Sequence, residues 1–126
     1  MGQSPGVMRR AVNRLASSAK EHEAAELQKG CLDLGATLIS ELPERERVRV
    51  AGTLRTVTLR PRAGVPALVA ELYDGSGSIS LVWLGRRQIH GIEPGRAVVC
   101  YGRVTRDGDH AVLFNPRYEL RPLGAE

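Results

Sequence analysis

Aromatic residues are scarce in this sequence: 4% of 126 residues, as three tyrosines, one tryptophan and one phenylalanine. So few argue against a dense base-stacking surface and put weight on each one present. Cysteine is scarcer still. Cys31 and Cys100 lie in segments of different character, and neither has a Cys or His at ligand spacing. That argues against a zinc site and a disulfide framework, and both read as plain thiols. No apolar run approaches the roughly 20 residues that span a bilayer. Arg9 and Arg10 are not followed by the apolar segment of a secretory leader. The expected setting is the cytoplasm, with no membrane contact. Also missing are a phosphate-binding glycine loop ending in Lys-Ser/Thr and a nucleophile motif. His22, His90 and His110 are scattered. These absences predict a protein that is not an enzyme, holds no metal and needs no cofactor.

Lysine is missing from the second part of the chain. Residues 1–46 carry six Lys/Arg against seven Asp/Glu, a net −1, whereas residues 47–126 carry twelve arginines against seven acidic residues, a net +5. A coding sequence rich in G and C explains arginine in place of lysine, but explains its segregation less well. A basic excess confined to one region suits a polyanionic partner.

The chain changes character near Pro43. Before it, helix formers dominate, and Met8, Val12, Leu15 and Ala19 recur at helical spacing. Leu27, Cys31 and Leu34 continue a stripe after a break, with Gly30 and Gly35 as interruptions. One or two marginal helices are expected in an N-terminal extension, residues 1–44, with residues 1–6 disordered. After Pro43, strands are predicted over 48–59, 67–74, 78–84, 97–105 and 110–115, the last stopped by Pro116. Residues 60–66 form a loop, Gly75-Ser76-Gly77 a turn that Asp74 caps, and Asp107-Gly108 a tight hairpin with φ > 0 at both positions. Residues 85–95 have room for one or two helical turns. Five short strands with one brief helical insert predict an all-β core over residues 45–123, a five-stranded OB-fold Greek-key barrel.

The ordered set Val50-x-Gly52-x-Leu54, "LYDGSGSISLVW", Gly95-x-x-Val98, Gly102-Arg103-Val104 and "NPRYEL" resembles the OB-fold nucleic-acid-binding family over about residues 47–121. It is similar to anticodon-binding OB domains, to the wedge domain of the bacterial branch-migration helicase, and to small stand-alone OB proteins of actinobacteria. Helicase motor motifs are absent, so no ATPase activity carries over. In the anticodon-binding relatives the positions matching Val69, Tyr73 and Ser80 contact bases. The glutamine typical of the Ser80 position is missing here.

Side-chain alternation puts Leu68, Ala70 and Leu72 with Ile79, Leu81 and Trp83 inside the barrel, and Val69, Tyr73 and Ser80 outside. Tyr73 is the first stacking candidate. Trp83 is a core or rim residue, and at the rim it still reaches a ligand. Arg55 on the first strand, Arg60 and Arg62 in the first loop, Arg86 and Arg87 after the third strand, and Arg103 and Arg106 at the last hairpin are the candidate phosphate contacts. The expectation is a non-catalytic module that binds single-stranded DNA or RNA on a basic, Tyr-containing face with little sequence preference. The alternative is a protein-interaction OB module without a nucleic-acid ligand, with the N-terminal extension meeting a protein partner or the barrel's own groove.

Overall fold

A computed structural model describes residues 5–122, with side chains from Leu15 onward. Helix α1 spans Pro5–Asp33 and is followed by a 3-10 turn at Ile39–Glu41. Six strands follow: β1 Arg47–Leu59, β2 Ala67–Tyr73, β3 Ser78–Leu84, β4 Ala97–Asp107, β5 His110–Phe114 and β6 Arg117–Leu120.

The five predicted strands close into a barrel. Their order is β1-β2-β3-β5-β4, and β4 returns to pair with β1. All neighbours are antiparallel except β3 and β5, which pair in parallel because β4 comes between them in the chain. β1 makes closure possible by serving two partners. Arg47–Thr53 pair with β4 and Thr53–Leu59 with β2. The change of partner falls at Thr53, and at the adjacent Gly52 a Cβ would collide with the Tyr73 carbonyl, so the close approach needs glycine. Val50, Leu54, Leu72, Ile79, Leu81 and Leu113 fill the interior, all essentially inaccessible.

Several local expectations differ from what the fold adopts. Residues 85–96 contain no helix; they form two turns, closed by Ile92 N–H to Ile89 O and Arg96 N–H to Glu93 O at 3.1 Å each. Ile89 and Ile92 still reach the core. In the last hairpin Asp107 pairs with His110, so the loop is Gly108-Asp109, and only Gly108 has positive φ, at 67°. That is the II′ pattern, in which glycine takes the first central position. β6 was not predicted. Its four residues are too few for their alternation to mark a strand, and after a break at Asn115, at φ 49°, and Pro116 it continues the β5 direction further along β4.

α1 is one helix. Gly30 does not break it, because the Leu27, Cys31 and Leu34 stripe packs on Ala51 and Val99 of the barrel wall. Gly35, at φ 78°, ends it in a Schellman motif. Ala36 N–H bonds to Cys31 O at 3.2 Å and Gly35 N–H to Leu32 O at 2.9 Å. Of the predicted N-terminal stripe, Leu15 is 71% exposed and Ala19 faces solvent, while the Met8 and Val12 side chains lie outside the described residues. Of the segment expected to be disordered, residues 1–4 also lie outside them, and the helix already includes Pro5. Residues assigned by sequence to the extension contribute to the barrel, since Ile39 and Leu42 join its core.

Candidate nucleic-acid interface

The outer wall of β1, β2, β3 and β5 is ordered in rows by strand register. Thr58, Val69, Val82 and Phe114 make one row; Thr56, Glu71, Ser80 and Val112 make the next; Thr53, Tyr73 and Ser78 the third. On this outer side Ala67, Val69, Val82 and Val112 form an apolar floor of their own, separate from the barrel interior. Ala67, Val82 and Val112 are themselves buried, so this second cluster stiffens the wall, and the accessible side chains above it are Val69, Tyr73 and Phe114.

The polar and aromatic side chains around this floor are already paired. β1 bulges between Leu54 and Thr56, so Arg55 is the unpaired residue. The bulge turns its guanidinium onto the Tyr73 ring, 3.4 Å from the centroid. A base stacking at Tyr73 must therefore displace Arg55 or stack on its guanidinium plane. The Arg62 guanidinium lies 5.2 Å from the Phe114 centroid, joining the β1–β2 loop to β5. Ser80 Oγ is 2.7 Å from His110 Nε2. Arg60 sits at the base of the same loop, its N–H bonded to Ala67 O, and Gly85 N–H bonds to Pro66 O, which brings exposed Arg86 and Arg87 next to that loop.

Three predicted site residues fall elsewhere. Trp83 is in the core, 5% exposed, with Nε1 donating to Pro116 O at 3.1 Å and Tyr118 edge-on against its ring. The indole's hydrogen-bonding need is met inside, and its ring has no free face for a base. Arg106 shares the side of β4 with inward Val104. It pairs with Glu44 at 3.6 Å and bonds Asp109 O at 3.4 Å, so it is not a free cation. Arg103 is exposed and outward on β4, but its cross-strand neighbour is Arg47.

Arg103 belongs to a second basic group. Arg49, Tyr101 and Arg117 form one row across β1, β4 and β6, and Arg47 with Arg103 lies beside it. The Arg49 and Arg117 guanidiniums lie 5.1 and 5.5 Å from the Tyr101 centroid. The Tyr101 hydroxyl donates to Glu119 Oε2 at 2.7 Å, and that hydrogen bond raises its pKa. The single basic face expected from the charge segregation is thus two groups on one cylinder. Phe114, His110 and Tyr101 were missed as site residues. Alternation alone puts all three outside, but their arginine and serine partners come from strands distant in sequence.

The family comparison agrees with this geometry. Residues 48–123, from the start of β1 to just past β6, match the tRNA anti-codon family, described as an OB-fold nucleic acid binding domain. Comparison with curated proteins gave no match. No helix among the described residues is long and apolar enough to cross a membrane.

Proposed function

Because the chain belongs to the OB-fold nucleic acid binding family, we propose that it is a non-catalytic module that binds single-stranded DNA or RNA on the outer β1–β2–β3 face. The observation that carries this reading is the outer-wall set of Tyr73, Val69 and Phe114, rimmed by Arg55, Arg60, Arg62, Arg86 and Arg87 and supported from beneath by the buried Ala67, Val82 and Val112. Bases lie across Val69 and stack at Tyr73 and Phe114; phosphates follow the arginine rim. Glu71, the carboxylate of the face, keeps the phosphate path off the centre. Stacking does not discriminate between bases, so sequence preference is low. The reading places the protein in the cytoplasm, where such strands are accessible.

The test is titration of a labelled single strand at several salt concentrations. Log affinity falls with log salt by about 0.7 for each phosphate neutralised. Tyr73→Ala weakens binding by about 1–3 kcal/mol if one base stacks there. Arg60→Gln with Arg62→Gln flattens the salt dependence. The absence of any salt-sensitive association at low ionic strength refutes the reading.

One observation favours a protein partner as a second reading: the side chains of α1 from Leu15 through Glu23 are all exposed. Truncation tests it, and must stop before the helix reaches the barrel at Ala24, whose carbonyl lies against Gly75, and at Gln28, whose Nε2 bonds Gly75 O. Removing residues 1–44 would also remove Ile39 and Leu42 from the core. Loss of a co-purifying protein on deleting residues 1–22, with nucleic-acid affinity unchanged, supports a partner bound through α1.

A further inference from the structure

The four arginines around Tyr101 lie outside the face just described. Arg47, Arg49, Arg103 and Arg117 are all exposed and outward, on three adjacent strands. Among the described residues none of them is in a salt bridge. Glu119, in the next row opposite Val99, is bonded to the Tyr101 hydroxyl. Four like charges on adjoining strands repel one another unless an anion covers them. The group is also continuous with the candidate face. Ser80 neighbours Val112 on β5, Val112 pairs with Thr105 on β4, and Arg103 is the next outward residue along β4.

Resting on the reading above, we infer that the Arg47/Arg49/Arg103/Arg117 group is a second phosphodiester-binding surface, which takes up the backbone of a single strand after it leaves the β2–β3 face across β5. Outward residues stand about 4.8 Å apart between strands and about 6.7 Å apart along one. The four side chains therefore leave the sheet from one compact grid; Arg49 Nη1 donates to Leu34 O at 3.2 Å, and the remaining guanidinium donors are suited to phosphate. Tyr101, with a guanidinium on each side, gives the strand an aromatic contact in the same grid. Continuity with a face built for bases favours nucleic acid over an acidic protein segment.

The experiment uses the full chain and two labelled deoxythymidine oligomers, about 5 and about 15 nucleotides long, near the two ends of the range an OB-fold covers. The variant Arg47→Gln with Arg103→Gln removes two exposed side chains, and an unchanged circular dichroism melt confirms its fold. Its binding to the long oligomer should lose about 1.4 from the salt slope, two phosphates' worth on a single strand. Between 50 and 200 mM salt that difference amounts to about sevenfold in affinity. Binding of the short oligomer should not change. Arg117→Gln alone should remove about half as much slope.

If the long oligomer binds both proteins alike while the short one binds normally, the second surface is refuted and the first face stands. If the short oligomer fails to bind but the long one does, and Arg47→Gln with Arg103→Gln abolishes that binding, the first face is refuted and the second stands. If wild type binds neither, both fall. Displacement of the long oligomer by a poly-glutamate peptide of equal charge, as well as by unlabelled oligomer, overturns the nucleic-acid assignment in favour of an acidic protein partner.

Discussion

Replacing Asp74 should disable the joint between the N-terminal segment and the barrel. Asp74 is fully buried and accepts hydrogen bonds through both oxygens. Oδ1 takes Ser76 N–H at 2.9 Å, Ser76 Oγ–H at 2.7 Å and Gly77 N–H at 3.2 Å, which shapes the β2–β3 turn. Oδ2 takes Ile39 N–H at 2.8 Å, which holds the 3-10 turn against the barrel. Ser76 Oγ in turn accepts Ser40 N–H at 3.1 Å. A hydrogen bond to a charged group contributes about 1.5–3 kcal/mol net, and a buried donor left alone costs about 1–3 kcal/mol. Ser76 and Gly77 are half-exposed and recover part of their loss from water, whereas Ile39 is buried. Asp74→Ala is therefore expected to cost about 3–5 kcal/mol, a large share of the roughly 5–15 kcal/mol that holds a domain folded. In a thermal melt this is a fall on the order of 10–20 °C. Asp74→Asn keeps the turn bonds but points an amide N–H at the Ile39 N–H, and should cost about 2 kcal/mol. Ser76→Ala should cost about 1 kcal/mol. The reasoning is refuted if Asp74→Ala costs under about 1 kcal/mol in urea unfolding, or if Ser76→Ala costs as much as Asp74→Ala.

Gly52→Ala drives a methyl group into the Tyr73 backbone carbonyl, which no rotamer change relieves. We expect a loss of about 1–3 kcal/mol in urea unfolding, and a neutral result would mean the β1 corner is soft. The cysteines set an alkaline limit. Burial, with the Asp74 charge adding, pushes the Cys31 thiol from 9.0 up to about 11, and burial pushes Cys100 up to about 12. Both folded values lie above the unfolded one, so this stability is complete below pH 9 and is lost as pH rises through the folded values. Iodoacetamide at pH 8 should modify both thiols in urea and neither in the native protein; rapid native labelling of Cys31 would contradict its burial.

The barrel was legible because its determinants are local. Alternation in β1 to β5 separates inner from outer residues, and Asp74, Gly75 and Gly108 mark turns whose chemistry follows from short segments. The Asp74 turn bonds could be predicted; the bond to Ile39, 35 residues earlier, could not. Residues 85–95 suit a helical turn by sequence because the apolar pair Ile89 and Ile92 fits one as well as it fits two turns anchored on the core.

The sequence alone determined a closed five-stranded barrel with an arginine-rich wall, because strand periodicity and net charge are summed along the chain. Which arginines share a face was decided only by the tertiary structure. β1 divides its length between β2 and β4, and that division parts Arg55 and Arg62 from Arg47 and Arg49. It also sends Trp83 inward to Pro116 and gives Arg106 to Glu44. These outcomes depend on which strands become neighbours when the cylinder closes, and closure is a property of the whole sheet rather than of any segment.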